Sequence, residues 1–164
     1  MTIRVPLAGY GGIYSTLIDD ADLDLITGYH WRAFPGHAGV FYAVRRIVKP
    51  DGSPTTQRMH QLITGWAQTD HVNGDGLDNR RSNLRPATSH QNGANRKSHR
   101  GSSSQFKGVS LHKPTGKWKV QIQVHGDRMH LGLLADEVEA ARLYDRAALQ
   151  HFGEFARPNF PEVR

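Results

Sequence analysis

The chain has 164 residues, of which 37% are hydrophobic, contains no cysteine, and has a formal net charge of +6. This length suits one domain or two small ones, and no apolar run approaches the roughly 20 residues that a membrane span needs. The composition excludes disulfides and thiolate zinc sites, and we expect a cytoplasmic protein with no secretory signal and no membrane partner.

Residues 1–66 predict a β-rich part made of short strands. The candidate strands are IRVPL, GIYSTLI, VFYAVRRIV and TTQRMHQLI, separated by turn signals such as GYGG and KPDGSP. The segment LIDDADLDLI contains four aspartates but is weak as a metal site. It is more typical of a solvated turn with a helix cap at Asp20 or Asp22.

Residues 67–98 contain the polar segment DHVNGDGLDNRRSN, which begins at Asp70 and His71. We expect a short strand that ends at these two residues, a long loop, and a second short strand. A capping-box pattern then predicts a helix that starts at Thr88. This helix places Asn92 just past its first turn.

Asp70, His71 and Asn92 fit the needs of phosphodiester hydrolysis. The reaction requires a hard divalent cation held by oxygens, a base for the attacking water, and positive charge near the transition state. Asp70 supplies a carboxylate oxygen, Asn92 an amide oxygen, and His71 a proton acceptor. Neighbouring residues on a strand point to opposite faces, so Asp70 can face the metal while His71 faces the other side of the phosphate. These ligands favour Mg²⁺ or Mn²⁺ over zinc.

Other interpretations of the same segment are weaker. A calcium loop of the EF-hand type would put His71 first and Ser82 twelfth, and neither supplies the carboxylate that these positions need. We interpret Asn79 as a turn residue. His60 is more typical of a packing or hydrogen-bonding histidine than of a ligand, and we expect His90 to be exposed on the helix.

Basic charge is concentrated after this segment. Residues 1–66 contain six Lys/Arg and five acids, whereas residues 79–126 contain ten Lys/Arg and no acid. Because ordinary surfaces mix both signs, this favours a polyanionic partner over a solvated basic face. Near a phosphate site we predict contacts to DNA from Arg80, Arg81, Arg85, Arg96 and Lys97.

Residues 99–105 predict a linker, because they are small, polar and not periodic, and residues 106–164 predict a second small domain. The segment KWKVQIQVH alternates between apolar and polar residues, and MHLGLL returns as another strand. A helix follows, with Asp136 as N-cap and Gly153 as stop. Its apolar stripe, which includes Val138, would cover the apolar face of the sheet and leave the face with Lys and Gln residues open.

The segment DHVNGDGLDNRRSNLRPATSHQN, preceded by MHQLI, resembles the HNH (His-Me finger) endonucleases, and most closely the phage and intron-encoded branch that ends in an asparagine. The resemblance covers about residues 58–97. It implies a ββα-metal fold with His71 as general base and Asp70 and Asn92 as metal ligands. It also implies that Asn83 ties the loop and holds His71 in position.

The C-terminal segment, with KGV, GKW, EAARLYDRAAL and NFPE, resembles the plant ethylene-response-factor (APETALA-two type) DNA-binding domain. The resemblance implies a three-stranded antiparallel sheet backed by one helix, with the sheet laid in the major groove. By position, the groove-facing candidates are Lys107, Ser110, His112, Gln121, Gln123, Arg128 and His130, and the candidates for backbone contacts are Lys117 and Lys119. Several arginines and a tryptophan of the plant pattern are Ser, His, Gln or Lys here, so the plant target sequence does not carry over. For single glutamines of this face, an ordinary solvated strand remains an alternative.

The prediction is an α+β protein with a β-rich N-terminal part, a ββα-metal module, and a C-terminal three-stranded antiparallel sheet packed on one helix. It would be a Mg²⁺- or Mn²⁺-dependent, homing-type endonuclease of double-stranded DNA, encoded by a phage or mobile element, and a monomer or a homodimer. A phage-encoded protein would act in the cytoplasm of a bacterial host. Two alternatives stay open: a non-catalytic DNA-binding regulator with a degenerate HNH module and, less favoured, an RNA-directed or structure-selective nuclease.

Overall fold

The protein has an α+β fold with several small antiparallel sheets and few helices. The computed structural model describes residues 1–9, 12–36, 39–96 and 101–161. The chain forms two compact units, residues 1–88 and residues 89–164. Among the described residues, no helix has the length and apolar character that crossing a membrane requires. The finer division into residues 1–66, 67–98, 99–105 and 106–164 stays a prediction.

The first unit is built from three small antiparallel sheets. Their strands, in sheet order, are β1 (Thr2–Leu7) with β2 (Tyr14–Asp19); β3 (Arg32–Pro35), β4 (Phe41–Val48) and β5 (Pro54–Arg58); and β6 (Thr69–His71) with β7 (Leu84–Pro86). Two short helices accompany them, α1 (Leu23–Ile26) and α2 (Met59–Thr64). Ile18, Trp31 and Met59 lie at the centre of one apolar core that these elements share.

The helix α2 corrects part of the sequence prediction. TTQRMHQLI was expected to be one strand, but the strand ends at Arg58 and residues 59–64 are helical. The Gln61 side chain accepts a hydrogen bond from the Arg58 backbone N–H, which satisfies one of the donors exposed at a helix start. Gly65 then ends the helix in the left-handed conformation.

The aspartates that precede α1 also differ from expectation. Asp22 occupies the position before α1, but its side chain makes no capping hydrogen bond. Its carboxylate is buried and receives the guanidinium of Arg81, which lies 59 residues later. A solvated turn was therefore wrong for Asp22, because a long-range ion pair holds it inside the fold.

In the second unit, the sheet and long helix follow their predicted pattern closely, whereas the short helix that precedes them was predicted as part of the HNH module. A short helix α3 (Ser89–Ala94) comes first, and the strands β8 (Val109–His112), β9 (Lys117–Val124) and β10 (Asp127–Leu134) form an antiparallel sheet in the order β10-β9-β8. Helix α4 (Glu137–Phe152) covers the apolar side, where Val120, Ile122 and Tyr144 share a core. The Asp136 side chain accepts from the Glu139 N–H and Gly153 follows the last turn, as predicted.

Two details of the second unit were not expected. Val138, assigned to the apolar stripe of α4, is 42% exposed. Ser103 and Ser104, within the predicted linker, are tied to the domain that follows. Ser103 Oγ accepts a hydrogen bond from the Leu111 N–H, and Ser104 Oγ donates to Glu137.

Candidate functional site

Asp70 and His71 lie at the end of the hairpin formed by β6 and β7. In this register Asp70 is opposite Arg85 and His71 is opposite Leu84. Asp70 is 5% exposed and His71 is 6% exposed. Polar groups buried to this degree need fixed partners, because a lost hydrogen bond there is not replaced by water.

Asp70 is held by an ion pair across the hairpin. Its Oδ2 accepts hydrogen bonds from Arg85 Nε at 2.9 Å and Arg85 Nη2 at 2.7 Å. Two hydrogen bonds from one guanidinium fix the position of this carboxylate oxygen. The geometry therefore keeps one carboxylate in a fixed position beside His71.

His71 packs among other rings on its buried side. Its ring centroid lies 4.9 Å from that of His60, in an edge-on arrangement, and 5.9 Å from that of Tyr42. Burial lowers the pKa of His71 from its ordinary value, although a hydrogen bond to Asn79 and nearby aspartates oppose this. Burial also lowers the pKa of His60, to about 3. Both imidazoles are therefore neutral near pH 7, and a neutral imidazole is the form that accepts a proton.

The long loop between β6 and β7 is tied internally by Asn83. Its Oδ1 accepts from the Asn73 N–H at 3.0 Å, and its Nδ2 donates to Asn73 Oδ1 at 3.0 Å and to the Asp78 carbonyl at 2.8 Å. Gly76 brings the loop against β4, since a Cβ there would collide with the Phe41 carbonyl and the Tyr42 ring. Asn83 thus closes the loop at its base.

Asn79 makes the hydrogen bond to the His71 ring. The distance from His71 Nε2 to Asn79 Oδ1 is 3.3 Å, and Asn79 is fully buried. Sequence reasoning interpreted Asn79 as a turn residue and gave the positioning of His71 to Asn83. The partners that hold Asn79 come from β2, about 60 residues earlier, so no local pattern marks its role.

The three arginines near this loop all pair with carboxylates. Arg80 Nη2 lies 2.6 Å from Asp78 Oδ2, and Arg81 Nη2 lies 2.7 Å from Asp22 Oδ1. Arg85, as described above, pairs with the aspartate opposite it. These ion pairs give each guanidinium a structural role that the sequence did not indicate; the predicted DNA contacts of all three remain predictions.

Four more predicted metal-ligand and DNA-contact residues belong to the second unit. Asn92 is half-buried on α3, and Arg96 is exposed just after this helix. Lys97 lies outside the described residues. Lys107 donates from Nζ to the Ala94 carbonyl at the end of α3, and burial lowers its pKa to about 8. Lys107 was predicted to face a DNA groove, and this contact gives it a partner inside its own unit.

The described residues contain no cluster of three or more His, Cys, Asp or Glu side chains arranged to hold a metal ion. The predicted ligand set, one carboxylate and one amide, stays a prediction. A zinc site would need about four nitrogen or sulfur ligands, whereas Mg²⁺ keeps several waters and needs only one or two protein carboxylates.

One side of the sheet in the second unit is polar. Residues directly opposite each other in an antiparallel pair lie on the same face. The pairs are Gln123 with Arg128, Gln121 with His130, Lys119 with Ser110, and Lys117 with His112. We call these eight residues the polar face. It combines three cations with amides, imidazoles and a hydroxyl, and it contains no carboxylate.

Part of the polar face borders a cavity of about 570 Å³ within the second unit. Gln121, Gln123 and Arg128 line it together with His90 and Phe152. His90 is stacked on His125 at 4.6 Å and is half-buried, which corrects the expectation that it is exposed on its helix. These three polar-face residues therefore line a concave surface.

No family model matches the chain. The chain is 50% identical over 60 residues to APETALA2-like protein 2 of Oryza sativa subsp. japonica, which covers 35% of this chain and 14% of that protein. It is 38% identical over 74 residues to the AP2/ERF and B3 domain-containing transcription factor RAV1 of Arabidopsis thaliana, which covers 45% of this chain and 21% of that protein.

A third relative is named as an uncharacterized HNH endonuclease, from Acanthamoeba polyphaga mimivirus. The identity is 36% over 90 residues, which covers 55% of this chain and 46% of that protein. The chain spans less than half the length of each of these three relatives. The chain therefore has AP2/ERF domain similarity and a weaker similarity to an HNH endonuclease.

Proposed function

We propose that the protein is a metal-dependent DNA endonuclease of the HNH type, in which the polar face selects the DNA and the hairpin around His71 performs hydrolysis. The observation that carries this proposal is the state of His71. It is a buried imidazole whose pKa is lowered by burial, next to a carboxylate that pairs with Arg85, at the start of a loop tied by hydrogen bonds. The similarity to a protein named as an HNH endonuclease supports it.

In the proposed mechanism His71 takes the proton of the attacking water. Its depressed pKa keeps it unprotonated and ready near neutral pH. Asn83 holds the loop closed and so preserves the position of the ring. Arg85 fixes the Asp70 carboxylate and adds positive charge close to where the phosphate would lie.

Asp70 and Asn92 would hold a divalent cation, Mg²⁺ or Mn²⁺, within a ββα-metal module made of β6, β7 and the helix that follows them. The donors fit, because a carboxylate and an amide oxygen suit a hard cation that keeps water and phosphate oxygens as its other ligands. When bound, the cation supplies charge that stabilises the phosphate and the leaving oxygen. Asp70 belongs to the first unit and Asn92 to the second, so their joint ligation is part of the proposal.

The polar face is the proposed DNA-reading surface. In this proposal two strands of the sheet lie in the major groove, where glutamine pairs with adenine and arginine with guanine. Its lysines would contact phosphates and set the register without reading sequence. The AP2/ERF relatives support this assignment. With one His71 per chain, a monomer would nick one strand, and a double-strand break would need two chains or two events.

The second candidate is a non-catalytic DNA-binding protein. The observation that favours it is the 50% identity over 60 residues to an APETALA2-like protein. In that case the ordered hairpin would be only a structural part of the first unit.

Supercoiled plasmids that carry a library of inserted sequences separate the two candidates. In Mg²⁺ the wild type is expected to relax plasmids with a matching insert, and His71→Ala to lower the rate by at least about 100-fold, because it removes the general base. His30→Ala, at an exposed histidine of the same unit, is the matched control. Equal retardation of the plasmid by all three proteins, without relaxation even in Mn²⁺, would favour the non-catalytic candidate.

A further inference from the structure

The hydrogen bond between His71 and Asn79 is the last in a chain of buried hydrogen bonds that begins at β2. Thr16 on β2 and Asn79 in the loop are both fully buried, and Asn79 Nδ2 donates to Thr16 Oγ1 at 2.7 Å. Thr16 Oγ1 in turn lies 2.7 Å from the Leu77 carbonyl. We call the continuous path from the Leu77 carbonyl through Thr16 and Asn79 to His71 Nε2 the amide bridge.

The short distance at the far end fixes the direction of every hydrogen bond along the amide bridge. Two oxygens 2.7 Å apart need a hydrogen between them, and the Leu77 carbonyl has none. The Thr16 hydroxyl has one hydrogen, and its other neighbour, Met59 Sδ at 3.9 Å, is a much weaker acceptor. The hydroxyl therefore donates to Leu77, and toward Asn79 it can only accept.

The orientation of the Asn79 amide follows from this. Only its NH₂ group can face an oxygen that accepts, so its carbonyl oxygen faces His71 Nε2 at 3.3 Å. A neutral imidazole has one protonated nitrogen, and the nitrogen that faces a carbonyl oxygen is the one that donates. His71 thus has its proton on Nε2, and Nδ1 has the lone pair.

The backbone holds the same segment in place. The Asn79 N–H donates to the Leu17 carbonyl at 2.7 Å, and the Leu17 N–H donates to the Leu77 carbonyl at 2.9 Å. The loop therefore pairs with β2 through main chain and side chains together. Neither the Thr16 nor the Asn79 side chain can rotate without breaking buried hydrogen bonds, so the orientation of the Asn79 amide is a stable property of the fold.

We propose that Thr16 and Asn79 are positioning residues that select the Nε2–H tautomer of His71 and so make Nδ1 the basic atom. The assignment of a reaction to this base rests on the proposed endonuclease function, whereas the tautomer does not. Thr16 acts through Asn79, and Asn79 acts through the ring. The arrangement gives the N-terminal hairpin a direct part in the chemistry of a residue 55 positions later in the chain.

Nitrogen NMR of the metal-free protein tests the tautomer directly. With ¹⁵N-labelled histidine, long-range ¹H–¹⁵N correlations distinguish a protonated from an unprotonated ring nitrogen, and comparison with His71→Gln assigns the signals. The wild type is expected to show Nε2 protonated. Nδ1 protonated in the wild type would overturn the proposal.

Thr16→Val sharpens the test, since it replaces the hydroxyl with a methyl group of similar volume. Asn79 Nδ2 then loses its acceptor, so the amide is expected to rotate and donate to His71, which moves the ring proton to Nδ1. Thr16→Ser restores the hydroxyl and should restore the Nε2–H tautomer. Thr56→Val, at an exposed position of β5, should leave the spectrum as in the wild type. An unchanged tautomer in folded Thr16→Val would contradict the role of Thr16, and failure of that variant to fold leaves the wild-type spectrum as the deciding measurement.

Plasmid cleavage then separates this proposal from the function on which it rests. Thr16→Val is expected to slow cleavage roughly 10- to 100-fold while DNA affinity stays the same, as for other residues that orient a reacting group. A wild type that shows the Nε2–H tautomer but never cuts would refute the endonuclease and leave the amide bridge standing. A wild type that cuts with Nδ1 protonated would refute the amide bridge alone.

Discussion

The loop around His71 and the polar face of the second unit hold their polar side chains in opposite ways. In the loop, Asn79 and Asn83 are buried and make defined hydrogen bonds. On the polar face, Gln123, Arg128 and His130 are exposed. Both regions are rich in amides and cations, so composition alone does not distinguish them.

The difference indicates two kinds of polar surface. A group that must act on one atom has to be fixed before substrate arrives, because misplacement by about 1 Å costs much of the rate. A surface that reads a groove gains from side chains that adapt to bases and to bridging water. Four predictions test this contrast, from the largest expected effect to the smallest.

The first prediction compares the two regions by truncating one amide side chain in each, with Asn83→Ala in the loop and Gln123→Ala on the polar face. We expect Asn83→Ala to lower the free energy of unfolding of the first unit by about 3 kcal/mol, because it leaves buried partners in the loop without their hydrogen bonds. Gln123→Ala should change that of the second unit by less than about 0.5 kcal/mol. Urea unfolding followed through amide NMR signals of each unit measures both values. Similar losses at the two sites would remove the contrast.

Arg81→Met tests the ion pair that ties the loop to Asp22. The methionine keeps much of the apolar stem but leaves the buried carboxylate without its cation, so we expect a loss of about 2–3 kcal/mol. Adding Asp22→Leu should recover much of it, because no unpaired charge then remains. Thermal and urea unfolding of the two single variants and the double variant complete the cycle. A double variant as unstable as the sum of the singles would show that the pair is not coupled.

The stability of the first unit should fall as the pH is lowered. His60 has a pKa of about 3 in the folded protein and 6.5 when unperturbed. Between these values the unfolded chain binds a proton that the folded chain does not, which costs up to about 1.4 kcal/mol per pH unit for each such histidine. His60→Phe removes this contribution and should flatten the dependence of urea midpoints on pH below 6.5. An identical slope in both proteins would mean that His60 titrates normally when folded.

Lys117→Gln should produce the smallest effect. If this lysine contacts one phosphate, its loss reduces the slope of log affinity against log salt by roughly 0.9 and weakens binding only severalfold. Binding titrations on the selected DNA at several salt concentrations measure the slope. Gln121→Ala is the complementary variant, because it should alter preference among sequences without changing the slope. A change of slope in Gln121→Ala instead would mean that the roles of the two residues are exchanged.

The second unit was largely predictable because its information is local. The strict alternation of apolar and polar residues in β9 predicted the two faces of the sheet. Asp136 and Gly153 predicted where α4 begins and ends. Val138 was assigned wrongly because its spacing on the helix fits the stripe, although its side chain is 42% exposed.

The first unit was predictable only in part, because its decisive contacts are distant in sequence. Asp70, His71 and Asn83 were predicted as site residues from their own segment. The role of Asn79 depends on Thr16, and that of Asp22 depends on Arg81. No pattern in the neighbouring sequence indicates a partner about 60 positions away. The helix α2 was mistaken for strand because a continuous apolar-polar run does not by itself separate the two periods.

The bonds between β2 and the loop also have a kinetic consequence. Arg81 meets Asp19 across 62 residues, so during synthesis the first hairpin emerges well before its partner. At bacterial or eukaryotic elongation rates this interval lasts roughly 3–12 s. During this interval the edge of β2 that later pairs with the loop has no hydrogen-bond partner. The nascent chain can then mispair at that edge. Slow translation across this interval should therefore lower the yield of folded protein more than slow translation of the C-terminal half.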